Sequence, residues 1–285
     1  MKPLILIDGS SALYRAYHVF PFLINSRGEP TGAIFGFINI LKNLINRYQP
    51  SHIAIIFDSS SKTFRHELFK HYKCNRSPMP NNLRIQIDPL YEIILAMGLK
   101  IITVNGVEAD DVIGTLVYKF NKTGIFILIS SNDKDMAQLV THRVNMINNI
   151  NKNLMGPDDI KKKYGVLPEL IVDLFAIMGD STDNIPGIPK IGKKTALILL
   201  REIGNIKRIY SNLDKISSLS FRGAKNIALR LNKYREIALL SYKLAKIKTD
   251  VIVNSEYEDL IMNNINTLLL KKLFNRHEFK RFLDN

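Results

Sequence analysis

At 285 residues, 46% of them hydrophobic, the chain is long and apolar enough to bury a full core, as one large domain or two smaller ones. Forty Lys and Arg against 26 Asp and Glu give a formal charge of +14 and point to a polyanionic partner. A single cysteine, Cys74, excludes an internal disulfide and a multi-cysteine zinc site, and no apolar run approaches the ~18–20 residues of a membrane helix, so a soluble, cytoplasmic protein is expected.

Four nearly continuous apolar runs, 4–8 ("LILID"), 52–58 ("HIAIIFD"), 99–104 ("LKIITV") and 126–131, have the composition of buried parallel strands. The stretches 32–48 and 81–98 between them carry helical spacing. This alternation predicts an α/β fold, a doubly wound, mostly parallel sheet with helices on both faces. After about residue 165 the strand signal fades, and "PELIVDLFAIMGD", "GKKTALILLREIG" and "GAKNIALRLNKYREIALLSYKLAKI" read as successive helices. The expected division is an α/β body over 1–165 and a helical, Lys-rich part over 166–285. The Ile-, Asn- and Lys-heavy composition, plain in "NMINNINKN" (145–153), would also follow from AT-rich coding sequence, so where the charges fall outweighs their sum.

Acids follow every one of the four runs. Asp8 ends the first and Asp58 the second; Glu108, Asp110 and Asp111 follow the third, and Asp133 and Asp135 the fourth. Each suits a helix start, where an acidic side chain contributes about 0.3–1 kcal/mol. All four together fall at the carboxyl edge of an open parallel sheet, where ligands bind. So many carboxylates stay ionised only with cations among them, and an all-oxygen donor set suits Mg²⁺ or Mn²⁺. Two such ions about 3.5–4 Å apart would clamp an in-line displacement at phosphorus. Asp180 and Asp183, spaced to share one face of a helical turn, add a further pair.

A Gly- and Pro-containing hairpin with Gly187 follows, and then a helix opened by Gly192, Lys193 and Lys194, a combination suited to nucleic-acid phosphates. Over 65–84, Arg65, Lys70, Lys73, Arg76 and Arg84 interleave with Phe69 and Tyr72, a mixture suited to single-stranded DNA. With Pro78 and Pro80 interrupting it and no evident core for its aromatic residues, this stretch is expected to be mobile until DNA orders it.

The stretches "LILIDGSSALYRAYH", "IAIIFDSSSKTFRHELFKHYKCNRSPMPNNLR", "GVEADDVIGTL", "SSNDKDMAQLV" and "GDSTDNIPGIPKIGKKTA" together resemble the 5′-3′ exonuclease (5′-nuclease) domains of bacterial DNA polymerase I, within the flap endonuclease family. The resemblance implies a PIN-like sheet, a helix-hairpin-helix-like motif in the helical part, and hydrolysis of DNA phosphodiesters with two Mg²⁺, for which Mn²⁺ would substitute. It implies one metal site from Asp8, Asp58, Glu108 and Asp110, and a second from Asp111, Asp133, Asp135 and Asp183 with Asp180 close by. It further implies that 65–84 is a gateway for a 5′-ended single strand, with Lys73 and Arg76 steering the phosphate and Tyr14 and Arg15 contacting substrate near the cut. Substrates would be 5′ flaps and nicked or branched duplex, met in primer removal and repair at the bacterial nucleoid beside a separate polymerase and ligase. Lys190 stands where the family's hairpin usually has glycine, which bears on the K⁺ site expected there, and Cys74 where alanine is common. A junction-binding protein that does not cut, and a PIN-type ribonuclease, are the alternatives, and the chain would be a free-standing nuclease or a fragment of a polymerase.

Overall fold

In a computed structural model, which describes residues 2–147, 153–221 and 223–283, Leu4–Asp8 forms strand β1 in a six-stranded sheet. Part of the Asn-rich run, 148–152, lies outside the described residues. Leu4 and Leu6 enter one core and Ile5 and Ile7 another, each on its own face of the sheet. A strand covered on both faces needs apolar residues at every position, so the run shows no polar alternation. β2 (His52–Ile56) and β3 (Lys100–Ile102) lie to one side of β1; β4 (Ile127–Ser130), β5 (Val144–Ile147) and β6 (Leu154–Met155) lie to the other. Every pairing is parallel except the last, β5 with β6. The two strands not expected, β5 and β6, are a four-residue run holding Asn145 and a two-residue bridge, too short for a strand signal.

Helices Gly9–Val19, Gly32–Tyr48 and Ile87–Ala96 cover one face, and Ala109–Asn121 and Ile171–Met178 the other. The expected helix over 81–98 is divided into Asn81–Arg84 and Ile87–Ala96. Buried Gln86 stands at the division, and its Oε1 accepts from the backbone N–H groups of Ala33 (2.9 Å) and Ile34 (3.3 Å). It thereby satisfies the start of helix Gly32–Tyr48, which Thr31 leaves without a side-chain cap.

The helical part begins as expected, with Ile171–Met178, Lys193–Glu202, Ala224–Lys233 and Arg235–Ala245, but from about residue 247 the chain turns back over the α/β body. Met262 N–H donates to Ser51 O (3.1 Å) and Asn263 N–H to Gly98 O (3.0 Å). Gly98 has φ +74°, and a Cβ there would stand 2.4 Å from Asn263 O, so only glycine permits the crossing. Phe274, Phe279 and Phe282 then join the core behind helix Gly32–Tyr48. The last part of 166–285 is therefore packed against the body and is not an extension of the helical array. No helix among the described residues is long and apolar enough to cross a membrane.

The stretch 65–84 also departs from expectation. Its aromatic residues do have a core: Tyr72 is buried and Phe69 packs against the same cluster. Arg65, expected to meet DNA, is 2% exposed. Its guanidinium donates to both carboxylate oxygens of Asp111 (2.7 and 2.8 Å) and to the carbonyls of Leu244 (2.9 Å) and Lys246 (3.0 Å). Asp111 is fully buried and also accepts from Lys248 N–H (2.8 Å). The turn at 71–75 is stitched to 181–184, with Lys73 N–H on Asp183 O (3.0 Å), Asn184 Nδ2 on His71 O (2.6 Å) and Asn75 Nδ2 on Ser181 O (2.7 Å). Removing one partner of a buried ion pair strands the other charge, so Asp111→Ala should cost about 3–5 kcal/mol of unfolding free energy. Urea denaturation in EDTA measures it, and the loss should be the same when divalent metal is present.

Candidate active site

The strand order reverses at β1, which has β2 on one side and β4 on the other, and ligands bind beyond the carboxyl ends at such a switch point. Asp8 leaves β1 there as the N-cap of helix Gly9–Val19, accepting from Ser11 N–H (2.9 Å) and from the Ser131 hydroxyl (2.7 Å). Asp58, exposed after β2, accepts from Ala109 N–H (2.8 Å). Glu108 caps helix Ala109–Asn121 and puts Asp110 in its first turn, while Asp133 caps the short 3₁₀ turn Lys134–Leu139 that carries Asp135. The capping geometry that explains each acid locally also aims all of them at one edge.

Asp180 and Asp183 reach the same edge on a tight turn rather than on a helix. Asp180 and Ile185 exchange both backbone hydrogen bonds (2.9 and 2.8 Å), closing the loop 181–184. One oxygen from each of Asp135, Asp180 and Asp183 lies within 4.8 Å of the others, and all three residues are buried. The second oxygen of Asp180, Oδ2, is buried with no hydrogen-bond partner.

Three cations stand among these acids. Lys73 Nζ donates to Glu108 (2.7 Å) and lies 3.6 Å from Asp183; Arg76 donates to Asp183, and Lys134 to Asp180. Tyr72 Oη donates to Glu108 (3.1 Å). Burial, and then Asp58 and Asp133, push the Asp8 carboxyl up to about 7 against its two hydrogen bonds. Burial and neighbouring carboxylates likewise raise Asp110 and Asp135 well above the usual range, and raise Asp133. Burial disfavours charge on Lys73, but Glu108 and Asp183 outweigh it and hold its pKa above that of a free lysine. An all-oxygen, over-anionic cluster with an unpartnered oxygen fits hard divalent cations.

Two family models match the chain: the 5′-3′ exonuclease N-terminal resolvase-like domain over residues 3–165, and the 5′-3′ exonuclease C-terminal SAM fold over 166–268. The chain is 48% identical to the 5′-3′ exonuclease of Buchnera aphidicola subsp. Schizaphis graminum over 96% of its own length and 95% of that protein's. It belongs to the 5′-3′ exonuclease family. DNA polymerase I of Pseudomonas aeruginosa is 46% identical over 99% of the chain, which spans 31% of that longer protein. A T5 5′-exonuclease structure with bound zinc shares the fold at 22% identity and a TM-score of 0.69, covering 96% of this chain and 98% of the other. A T5 flap endonuclease complexed with DNA and metal ions gives 23%, 0.67, 97% and 99%.

Of the nine carboxylates expected at the metals, Asp135, Asp180 and Asp183 have oxygens close together, Asp8, Asp58, Glu108, Asp110 and Asp133 lie near enough to feel one another's charge, and Asp111 is turned inward to Arg65. Tyr72 is buried against Glu108, so it offers no face to a base, and Gly187 is a packing glycine. A Cβ on Gly187 would stand 2.2 Å from the backbone of Gly179. Arg15 lines a cavity between helices Gly9–Val19 and Gly32–Tyr48 with Arg47 and Tyr48, apart from the carboxylates. Lys70, Arg84, Gly192, Lys193 and Lys194 are exposed, and Tyr14 lies near Asp58 and Arg76. Lys190 holds φ +63°, a conformation natural to glycine and unusual for lysine. Lys134 and Ser131 were missed as site residues; their signal was their place inside the acidic "SSNDKD".

A carboxyl whose folded pKa is raised holds its proton over a range where the unfolded chain has lost it, so its contribution is present below about pH 4 and lost as pH rises through about 7. In EDTA, Asp8→Asn, still a competent N-cap, should therefore gain stability over the parent as pH rises from 5 to 8, by at most about 1.4 kcal/mol per pH unit. Thermal unfolding measures this, and added Mg²⁺ or Mn²⁺ should favour the parent at pH 8.

Proposed function

We propose that this chain is a Mg²⁺-dependent 5′-3′ deoxyribonuclease that hydrolyses phosphodiesters at 5′ flaps, 5′-ended single strands and nicked or branched duplex. The observation that carries this reading is the gathering of carboxylates at the sheet's switch point, with oxygens of Asp135, Asp180 and Asp183 within 4.8 Å of one another and Lys73 and Arg76 held among the acids. Asp8, Asp58, Glu108 and Asp110 would hold one ion, and Asp133, Asp135, Asp180 and Asp183 a second. Bound there, such ions supply Lewis-acid activation of water and stabilisation of the leaving oxygen.

The side chains supply the rest. Lys73 and Arg76 are placed to transfer their hydrogen bonds from carboxylates to the non-bridging oxygens of the scissile phosphate, where negative charge grows in the transition state. Glu108 and Asp183 keep both cations at the reacting group, Lys73 largely shielded from water and Arg76 open to it. Exposed Lys193 and Lys194 open a helix whose N-terminus faces open space at Gly192, an arrangement that fits a duplex phosphate. In this reading residues 1–165 carry the chemistry, with 65–84 as the gateway, and the helices after 166 grip the duplex, with K⁺ at the hairpin. The activity suits primer removal and repair at the nucleoid beside a polymerase and a ligase.

A labelled 5′-flap duplex incubated with the protein should be cut with Mg²⁺ and not with EDTA. Binding without cutting would favour a junction-binding protein, and preferred cutting of the matched RNA would favour a ribonuclease. Lys73→Ala should lower the single-turnover rate by about 10²–10³ with little change in the Mg²⁺ concentration required. Lys193→Ala and Lys194→Ala should each weaken duplex binding and reduce the salt dependence, log K against log[salt], by about one unit.

A further inference from the structure

Arg15, carried on helix Gly9–Val19, is a cation without an anion. Its Nη1 is buried with no hydrogen-bond partner, and no described acid acts on it. Burial alone holds its pKa below that of a free arginine. The Tyr48 hydroxyl, at the end of helix Gly32–Tyr48, is also buried and unpartnered. Both residues line one cavity of about 200 Å³ between the two helices. Ala16, Phe20, Ile40, Leu44 and Ile147 give it apolar walls. Arg47 joins the lining with its guanidinium 5.5 Å from the centre of the Tyr48 ring, and no acid among the described residues does so.

A buried guanidinium nitrogen and a buried hydroxyl left unpaired both cost free energy that a bound partner would recover. Two guanidiniums with no carboxylate beside them call for an anion of more than one charge, and their planar donors match phosphate oxygens. A phosphomonoester carries about −1.5 to −2 charges at neutral pH. The apolar walls suit an organic group behind the phosphate, and a volume below the ~300–1,000 Å³ of ordinary ligand pockets requires a small one. We propose that this cavity binds a small free phosphomonoester, with Arg15 and Arg47 on the phosphate, the Tyr48 hydroxyl as a further donor, and the organic part against Phe20, Ile40 and Leu44. The site lies apart from the carboxylate cluster and uses no metal, so it does not depend on the nuclease reading.

Phenyl phosphate is the probe, titrated into the protein in EDTA and followed by calorimetry and thermal unfolding. It should bind, raise the unfolding midpoint, and bind about ten-fold or more tighter than inorganic phosphate, which lacks the organic part, or benzoate, which carries one charge. Arg15→Met should lose about ten- to hundred-fold in affinity, the scale of a charge-assisted hydrogen bond, and without ligand should unfold no earlier than the parent, because it removes an unpaired charge. Arg47→Ala should weaken binding in the same direction, and Lys73→Ala should leave it unchanged. Equal binding of the three anions, or full affinity in both arginine variants, overturns the proposal; so does a loss in Lys73→Ala, which would put the probe at the carboxylates. A 5′-phosphorylated oligonucleotide separates a free ligand from a strand end. Its affinity should not depend on Arg15, and a loss in Arg15→Met equal to that for phenyl phosphate would give the cavity to the strand end and overturn the proposal.

Discussion

The buried pair between Arg65 and Asp111 joins three distant parts of the chain. Arg65 belongs to the basic stretch after β2, Asp111 to the first turn of the helix after β3, and the carbonyls of Leu244 and Lys246 to the end of the helical array. Lys248 N–H closes the arrangement on Asp111. Removing two charges from water is costly, and here the loss is offset by donors and acceptors placed around both groups. Six hydrogen bonds made by one ion pair set where the basic stretch starts, how helix Ala109–Asn121 is rotated, and where the chain turns back toward the body. Glu108 and Asp110 flank Asp111 in that first turn, so its anchoring also orients them.

The remaining acids sit under an opposite constraint. Asp8 and Asp133 are held by ordinary capping bonds, yet burial and mutual repulsion raise the pKa values of Asp8, Asp110, Asp133 and Asp135. A fold chosen for stability alone would not gather them. Lys73, Arg76 and Lys134 neutralise part of this charge. Even the backbone is committed: Lys73 takes φ +52° so that its N–H reaches Asp183 O while its side chain turns back to Glu108.

Local sequence determined much of this. An apolar run buried on both faces needs no distant partner to be read as a central strand, and an acid after it needs none to be read as a cap; hence β1 to β4 and the acids that follow them were legible. So were the paired glycines and lysines at 187–194 as a hairpin leading into a helix. The recurrence of acids after four strands pointed to metal chemistry, because alternation of strand and helix already implies which ends share an edge.

What tertiary structure decided is which member of a local group faces which way. Asp110 and Asp111 are adjacent and chemically alike, but a helix rotates successive side chains by about 100°, so one meets the cluster and the other the core. Only the arrival of Arg65 and residues 244–248, far apart in sequence, fixes that choice. Tyr72 and Arg65 looked like DNA contacts for the same reason: aromatic and basic side chains suit a polyanion as well as a buried hydrogen-bonded network. The return of the chain over Gly98 depends on non-local packing that no window of sequence contains.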